Sequence, residues 1–304
     1  MILLEALYNF KKKLIRWYEN YFTVKGLYTC ILPDKMYIKK LYKLRTGKKL
    51  NLRKPQTFSE KQNWLKLYDR RPEYTVMVDK YKVREYIAER IGEQYLVPLL
   101  GVWDSPDEID FDSLPDEFVL KCNHDNGVII CTDKSKLDIE KTKKELAFRL
   151  KRNYYKKLRE WPYKNVPRRI ICEQFMHPCD NESTIDYKLL CFNGKVELIA
   201  LYAERFSGNL KEDYYTSEWD YVKILDNPGY GDAYKKPLFC DEMIAIAEKL
   251  SAGIPCLRVD FNVWKDMLAV GELTLFHHGA MLPYFDEWEI KMGEYIDLPK
   301  KRRR

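Results

Sequence analysis

The chain has 304 residues, 46% of them hydrophobic and 33% charged, enough for a large core spread over two or three subdomains and too apolar for a disordered tail. Its 53 basic and 46 acidic residues give a net charge of +7, yet acids and bases interleave everywhere except at Lys11–Lys13 and Lys300–Arg304, which excludes the basic stripe of a nucleic-acid binder. Eight cysteines, at 30, 122, 131, 172, 179, 191, 240 and 256, lack zinc-knuckle or redox-pair spacing and are expected to be reduced, buried thiols of a cytoplasmic protein, with neither a bilayer-spanning run nor a secretory leader.

In chain order, Leu7, Phe10, Leu14 and Trp17 recur at helical spacing beside Lys11–Lys13, which predicts a helix packed on the domain behind it or lying on a membrane surface. Pro33-Asp34 starts a second helix that stops at Thr46-Gly47, so residues 1–55 read as a helical extension. Thr57–Gln62 offers capping boxes for an amphipathic helix through Tyr68, and Asp79–Arg90 reads as another, closed by Gly92. Short apolar runs then predict strands at Tyr95–Leu99 and Phe118–Cys122, the latter in a hairpin with Val128–Thr132 across the polar loop Asn123–Gly127. A helix from Asp138 to about Arg152 follows, then strands at Arg169–Glu173, Asp186–Phe192 and Val196–Tyr202, the last two joined by Asn193-Gly194. A helix at Cys240–Leu250, strands at Cys256–Val263 and Met267–Phe276 with a turn at Lys265-Asp266, and a short helix near Glu287–Met292 complete an α+β chain.

Two stretches carry chemistry. Lys121 ends a buried strand beside a loop containing His124 and Gly127, whose amides can approach phosphates; the competing reading is a surface lysine. Arg258 and Asp260 share one face of their strand, and Glu272 and Thr274 share one face of the next, so a tight connection can set two carboxylates opposite each other. Such carboxylates repel unless a cation lies between them, and hard oxygens suit Mg²⁺ shared with phosphates; a salt bridge of Arg258 with either acid is the alternative. His277 and His278, adjacent on a strand, are expected on opposite faces, so that at most one serves a given site.

A lysine at a strand end, Glu173 after an apolar strand, Arg-Val-Asp-Phe at 258–261 and Gly-Glu-Leu-Thr at 271–274 together resemble the ATP-grasp superfamily. The nearest branch is the TupA-like one, over about residues 56–299, with Asp79-Lys80-Tyr81, Asp186-Tyr187-Lys188 and Cys191–Lys195 adding to the match. The resemblance implies an ATP-grasp fold clasping ATP, with a small ATP-lid subdomain at about 116–172 and a central metal-binding subdomain at 173–299. The 1–55 extension precedes these and the basic tail 300–304 follows. It implies that Lys121 touches the ATP phosphates, Glu173 lies near adenine or ribose, Asp260 and Glu272 hold Mg²⁺, and Arg258 steadies the transferring phosphoryl group. Lys80 and Asp186 are further nucleotide candidates, and Lys188 a phosphate or acceptor one. Thr274 stands where the family usually has asparagine and still offers an oxygen to metal, while Phe276–Ala280 replaces an aromatic, proline and glycine run.

The implied activity is carboxylate–amine ligation through an acylphosphate, joining an amino acid or amine to a uronic acid or peptide in bacterial capsule or cell-surface polysaccharide biosynthesis. A glycosyltransferase, a sugar kinase, or a non-catalytic scaffold held by its basic ends at the inner face of the membrane or on polysaccharide-assembly proteins are the alternatives.

Overall fold

The computed structural model describes residues 32–177, 185–204, 209–264 and 267–300. The first expected helix, the Lys265-Asp266 turn, Cys30, Cys179 and the tail from 301 lie outside the described residues. The other six cysteines are buried free thiols, as expected. No described helix is long and apolar enough to cross a membrane.

Helix α1 (Asp34–Thr46) begins after Pro33 and ends on Gly47 at φ 76°, the left-handed stop that its sequence signals. Its Tyr37, Ile38 and Leu41 pack with Leu67, Leu158 and Met281. Asp34, in its first turn, pairs with Arg70 at 2.8 Å and Arg159 at 3.4 Å, and accepts the Tyr155 hydroxyl proton. Helix α2 (Phe58–Tyr68) carries the expected capping box between Thr57 and Glu60.

Helices α3 (Glu73–Val78) and α4 (Val83–Ile91) follow. The single helix expected from Asp79 is shorter because Asp79 Oδ1 accepts the backbone N–H groups of Tyr81 and Lys82 and the Asn123 amide, a local turn that competes with helix until Val83. The strand expected at Tyr95–Leu99 also moves, to β1 (Leu99–Trp103), since Pro98 has no N–H to give a ladder.

Strands β2 (Phe118–Cys122), β3 (Val128–Cys131) and β4 (Ile170–Gln174) join β1 in an antiparallel sheet of order β1-β4-β2-β3. This sheet reaches upstream of the expected boundary at 116. Helix α5 (Ile139–Lys151), started by the Asp138 side chain, covers one face over Phe118, Leu120 and Cys172; the short α6 (Tyr155–Leu158) leads back towards β4. Val119 lies opposite Glu173 and Lys121 opposite Ile171, so alternation places Lys121 and Glu173 together on the other face.

The second sheet has described strand order β10-β9-β5-β6-β7-β8, antiparallel throughout. Its members are β5 (Asp186–Phe192), β6 (Lys195–Ala203), β7 (Lys211–Thr216), β8 (Tyr221–Val222), β9 (Cys256–Trp264) and β10 (Met267–Thr274). Asn193 and Gly194 turn β5 into β6 at φ 50° and 87°, the mirror-image turn that matches strand twist. Strands β7 and β8 were not anticipated. Helix α7 (Cys240–Ser251) buries Met243, Ala247 and Leu250 in the main core, and α8 (Asp286–Glu294) packs on α2, where Glu289 accepts the Ser59 N–H at 2.9 Å.

Candidate active site

Register builds one polar face on the second sheet. Glu272, Asp260, Lys188, Ala200 and Tyr214 lie directly opposite one another across β10, β9, β5, β6 and β7. A neighbouring row is Asn262, Asp186, Tyr202 and Glu212, and a third sets Thr274 opposite Arg258. Facing residues share a face, so the two carboxylates meet as expected. They do so through a bulge: pairing steps from Val270–Phe261 to Glu272–Asp260, leaving Gly271 unpaired. A Cβ on Gly271 would lie 2.7 Å from the Asn262 amide nitrogen.

Cations ring the carboxylates. Arg258 clasps Asp260 with Nε at 2.6 Å and Nη2 at 2.8 Å, and reaches Glu272 at 3.5 Å. Lys188 Nζ lies 2.8 Å from Asp260, 3.6 Å from Asp186 and 4.9 Å from the centre of the Tyr202 ring. Lys80 Nζ lies 3.2 Å from Glu272 and donates to the Asp125 carbonyl at 2.9 Å, while its N–H donates to the Asn123 carbonyl. Lys80 thereby ties the β2–β3 loop of one sheet to a carboxylate of the other. Burial alone would raise the Glu272 carboxyl, but Lys80, Arg258 and Lys188 hold it well below the usual carboxylate range. Thr274 Oγ1 donates to Glu272 at 2.9 Å and so orients that carboxylate. The donor set of two neighbouring carboxylates, with cations poised to turn to phosphate oxygens, fits Mg²⁺.

On the first sheet Lys121 and Arg84 both pair with Glu173, Arg84 at 3.6 Å. Two expected residues fall elsewhere. His124 is buried inside the first sheet's own unit, its Nε2 3.2 Å from the Arg152 carbonyl, and burial lowers its pKa; its ring therefore does not line the loop's outer surface. The Arg149 guanidinium lies where a Cβ on Gly127 would point, and the Gly127 N–H is bonded to Asp125 Oδ1 at 2.9 Å.

The histidine expectation is corrected outright. His277–Ala280 is a tight turn, not a strand, with His278, Gly279 and Ala280 at φ 49°, 64° and 59°. Both imidazoles consequently lie on one side, ring centres 4.2 Å apart. His277 Nδ1 accepts from Arg258 Nη1 at 2.9 Å, and His278 Nε2 lies 3.3 Å from Glu212. Sequence reasoning missed Arg84, Tyr202, Glu212 and Tyr214. The last two were detectable, since Glu212 and Tyr214 alternate with Asp213 and Tyr215 at strand spacing.

A family model described as TupA-like ATPgrasp matches residues 60–297. Among solved structures, the chain is similar to D-alanine–D-alanine ligase from Bacillus anthracis complexed with ATP, at 16% identity and TM-score 0.37, over 66% of this chain and 54% of that one. It is similar to L-amino acid ligase from Bacillus licheniformis at 15% identity and TM-score 0.40, over 66% and 43%. A D-cycloserine synthetase gives 14% identity and TM-score 0.44, over 74% and 70%. The chain spans about half the length of the first structures it matches. No curated protein matches it.

Proposed function

Because the chain belongs to the TupA-like ATP-grasp family, we propose that it is an ATP- and Mg²⁺-dependent ligase joining a carboxylate to an amine through an acylphosphate. The observation that carries this reading is the facing pair Asp260 and Glu272 ringed by Lys80, Lys188 and Arg258. Phosphoryl transfer needs positioning and charge neutralisation more than a protein nucleophile, and this cluster supplies both. Asp260 and Glu272 would hold Mg²⁺, whose chemistry there is to neutralise phosphate oxygens.

In the proposed reaction a substrate carboxylate oxygen attacks the γ-phosphorus and the bond to the ADP oxygen breaks. An amine nitrogen then attacks the acyl carbon, loses a proton, and expels phosphate. Lys121 and Lys80 steady the nucleotide phosphates, Glu173 faces the adenosine end beside Arg84, and Arg258 and Lys188 steady the phosphoryl group in transfer. The net charge of +7 is compatible with an acidic acceptor, and the family's association with surface polysaccharide suggests a uronic acid as carboxylate and an amino acid as amine.

The test is thermal unfolding with and without Mg-ATP, for wild type and Glu272→Ala. Nucleotide at about 100 times its dissociation constant stabilises the native state by about 2.7 kcal/mol. The magnesium-dependent part of that shift is expected to vanish in the variant, which keeps its cations and so retains some metal-free ATP binding. Wild-type ADP and phosphate release only when a uronic acid and an amino acid are both present supports the ligase. ADP without phosphate indicates a kinase, and stabilisation by a nucleotide-sugar instead of ATP overturns the reading.

A further inference from the structure

Glu212, His277 and His278 bring one donor atom each within 4.8 Å of one another, a spacing that suits a divalent metal. The proton positions argue otherwise. Arg258 Nη1 can only donate, so His277 Nδ1 must accept at 2.9 Å and the neutral ring carries its proton on Nε2, leaving no lone pair there for a metal. That Nε2 lies 3.4 Å from the Tyr214 oxygen, and Tyr214 in turn donates to Glu212 Oε1. Tyr202 donates to the same carboxylate oxygen at 2.7 Å. The donors therefore all run one way, from the Arg258 cation through His277 and Tyr214 to the Glu212 anion.

This chain differs from the other contacts of Arg258. Asp260 and Glu272 are the carboxylates that would hold Mg²⁺, and in that role their oxygens would be shared between the metal and the guanidinium. His277 is a neutral acceptor outside that set, 2% exposed, and its contact is independent of theirs. The turn that aims it is clamped from α2: Lys66 Nζ donates to the Gly279 carbonyl at 2.5 Å and Asn63 to the Ala280 carbonyl at 2.8 Å. These buried bonds help hold the left-handed backbone at His278 and Ala280.

We propose that His277 is a positioning residue for Arg258: through the line Arg258, His277, Tyr214, Glu212 it holds the guanidinium against the γ-phosphate while Asp260 and Glu272 serve the metal. The proposal rests on the nucleotide-site reading above. It concerns one phosphate, so ATP and ADP are the probes.

Isothermal titration with Mg-ATP and with Mg-ADP is the experiment, on wild type, His277→Phe, His277→Asn and Tyr214→Phe. Wild type should prefer ATP by about tenfold or more, the worth of a charge-assisted hydrogen bond. His277→Phe should cut that preference by about fivefold, Lys188 still facing the γ-phosphate, with ADP affinity unchanged within about threefold. His277→Asn, whose amide oxygen stands near the place of Nδ1, should recover most of it, and Tyr214→Phe should lose part. Full ATP preference in His277→Phe, equal loss of both nucleotides, or no rescue by asparagine overturns the proposal. If His277→Phe does not fold, Tyr214→Phe decides, with an unchanged ATP preference overturning it. Failure of wild type to bind Mg-ATP sinks the nucleotide reading itself, a result distinct from any of these.

Discussion

Lys188 is the most enclosed cation of the site, its side chain 5% exposed between Asp260, Asp186 and the Tyr202 ring. Lys188→Met should lower ADP release by about 10²–10³-fold, the usual loss when one preorganised donor to a transition state is removed. Lys188→Arg should not restore it, because a planar fork cannot occupy the space of an ammonium. Glu272 gives a second residue-scale test, read in acid. Its folded pKa is lowered, so its contribution to stability is complete above about pH 4.3, the ordinary glutamate value, and is lost as pH falls through the folded value. Glu272→Gln should therefore flatten the decline of melting temperature below about pH 4; an unchanged acid limb would show that the ion pairs with Lys80 and Arg258 contribute nothing.

Among the elements, the β9–β10 hairpin shows how far a sequence can be followed. Alternation correctly put Asp260 with Arg258 and Glu272 with Thr274, because side-chain period within a strand is local. Continuing the Met267–Trp264 pairing without interruption would set Gly271 opposite Asp260 and turn Glu272 to the far face. The bulge at Gly271 restores the meeting, and nothing in the hairpin's apolar pattern announces it. Gly271→Val should cost about 1–3 kcal/mol through crowding of Asn262 and abolish the magnesium-dependent ATP shift. Gly271→Ala should be milder, since the obstructing atom ends a flexible side chain. If Gly271→Val keeps the full magnesium-dependent shift, the bulge does not aim Glu272. The His277–Ala280 turn was illegible for a related reason: three successive positive φ values are sustained by α2 and Leu158, partners distant in sequence. The surroundings of His124 and Gly127 were equally hidden, because their loop is organised by Arg149 and Arg152 at the α5 end, again a long-range decision.

At the scale of the whole molecule, the two sheets are bridged where Lys80 touches the β2–β3 loop and Glu272 together. Mg-ATP binding between them should protect both sheets at once in hydrogen exchange. Protection confined to β9 and β10 would place the nucleotide on one sheet only. Helix α1, outside the family-matched residues 60–297, joins the same body through Asp34. A recombinant fragment that begins just before the Thr57 cap of α2, close to the family boundary, would take Asp34 away from Arg159, whose guanidinium is buried 4.3 Å over the Tyr37 ring, and bare Leu67, Leu158 and Met281. Leu158 also backs Gly279, so the damage would propagate to the turn that aims His277. Such a fragment should bind hydrophobic dyes, precipitate more readily than the full chain, and be misjudged as catalytically dead for want of a helix that carries no catalytic group.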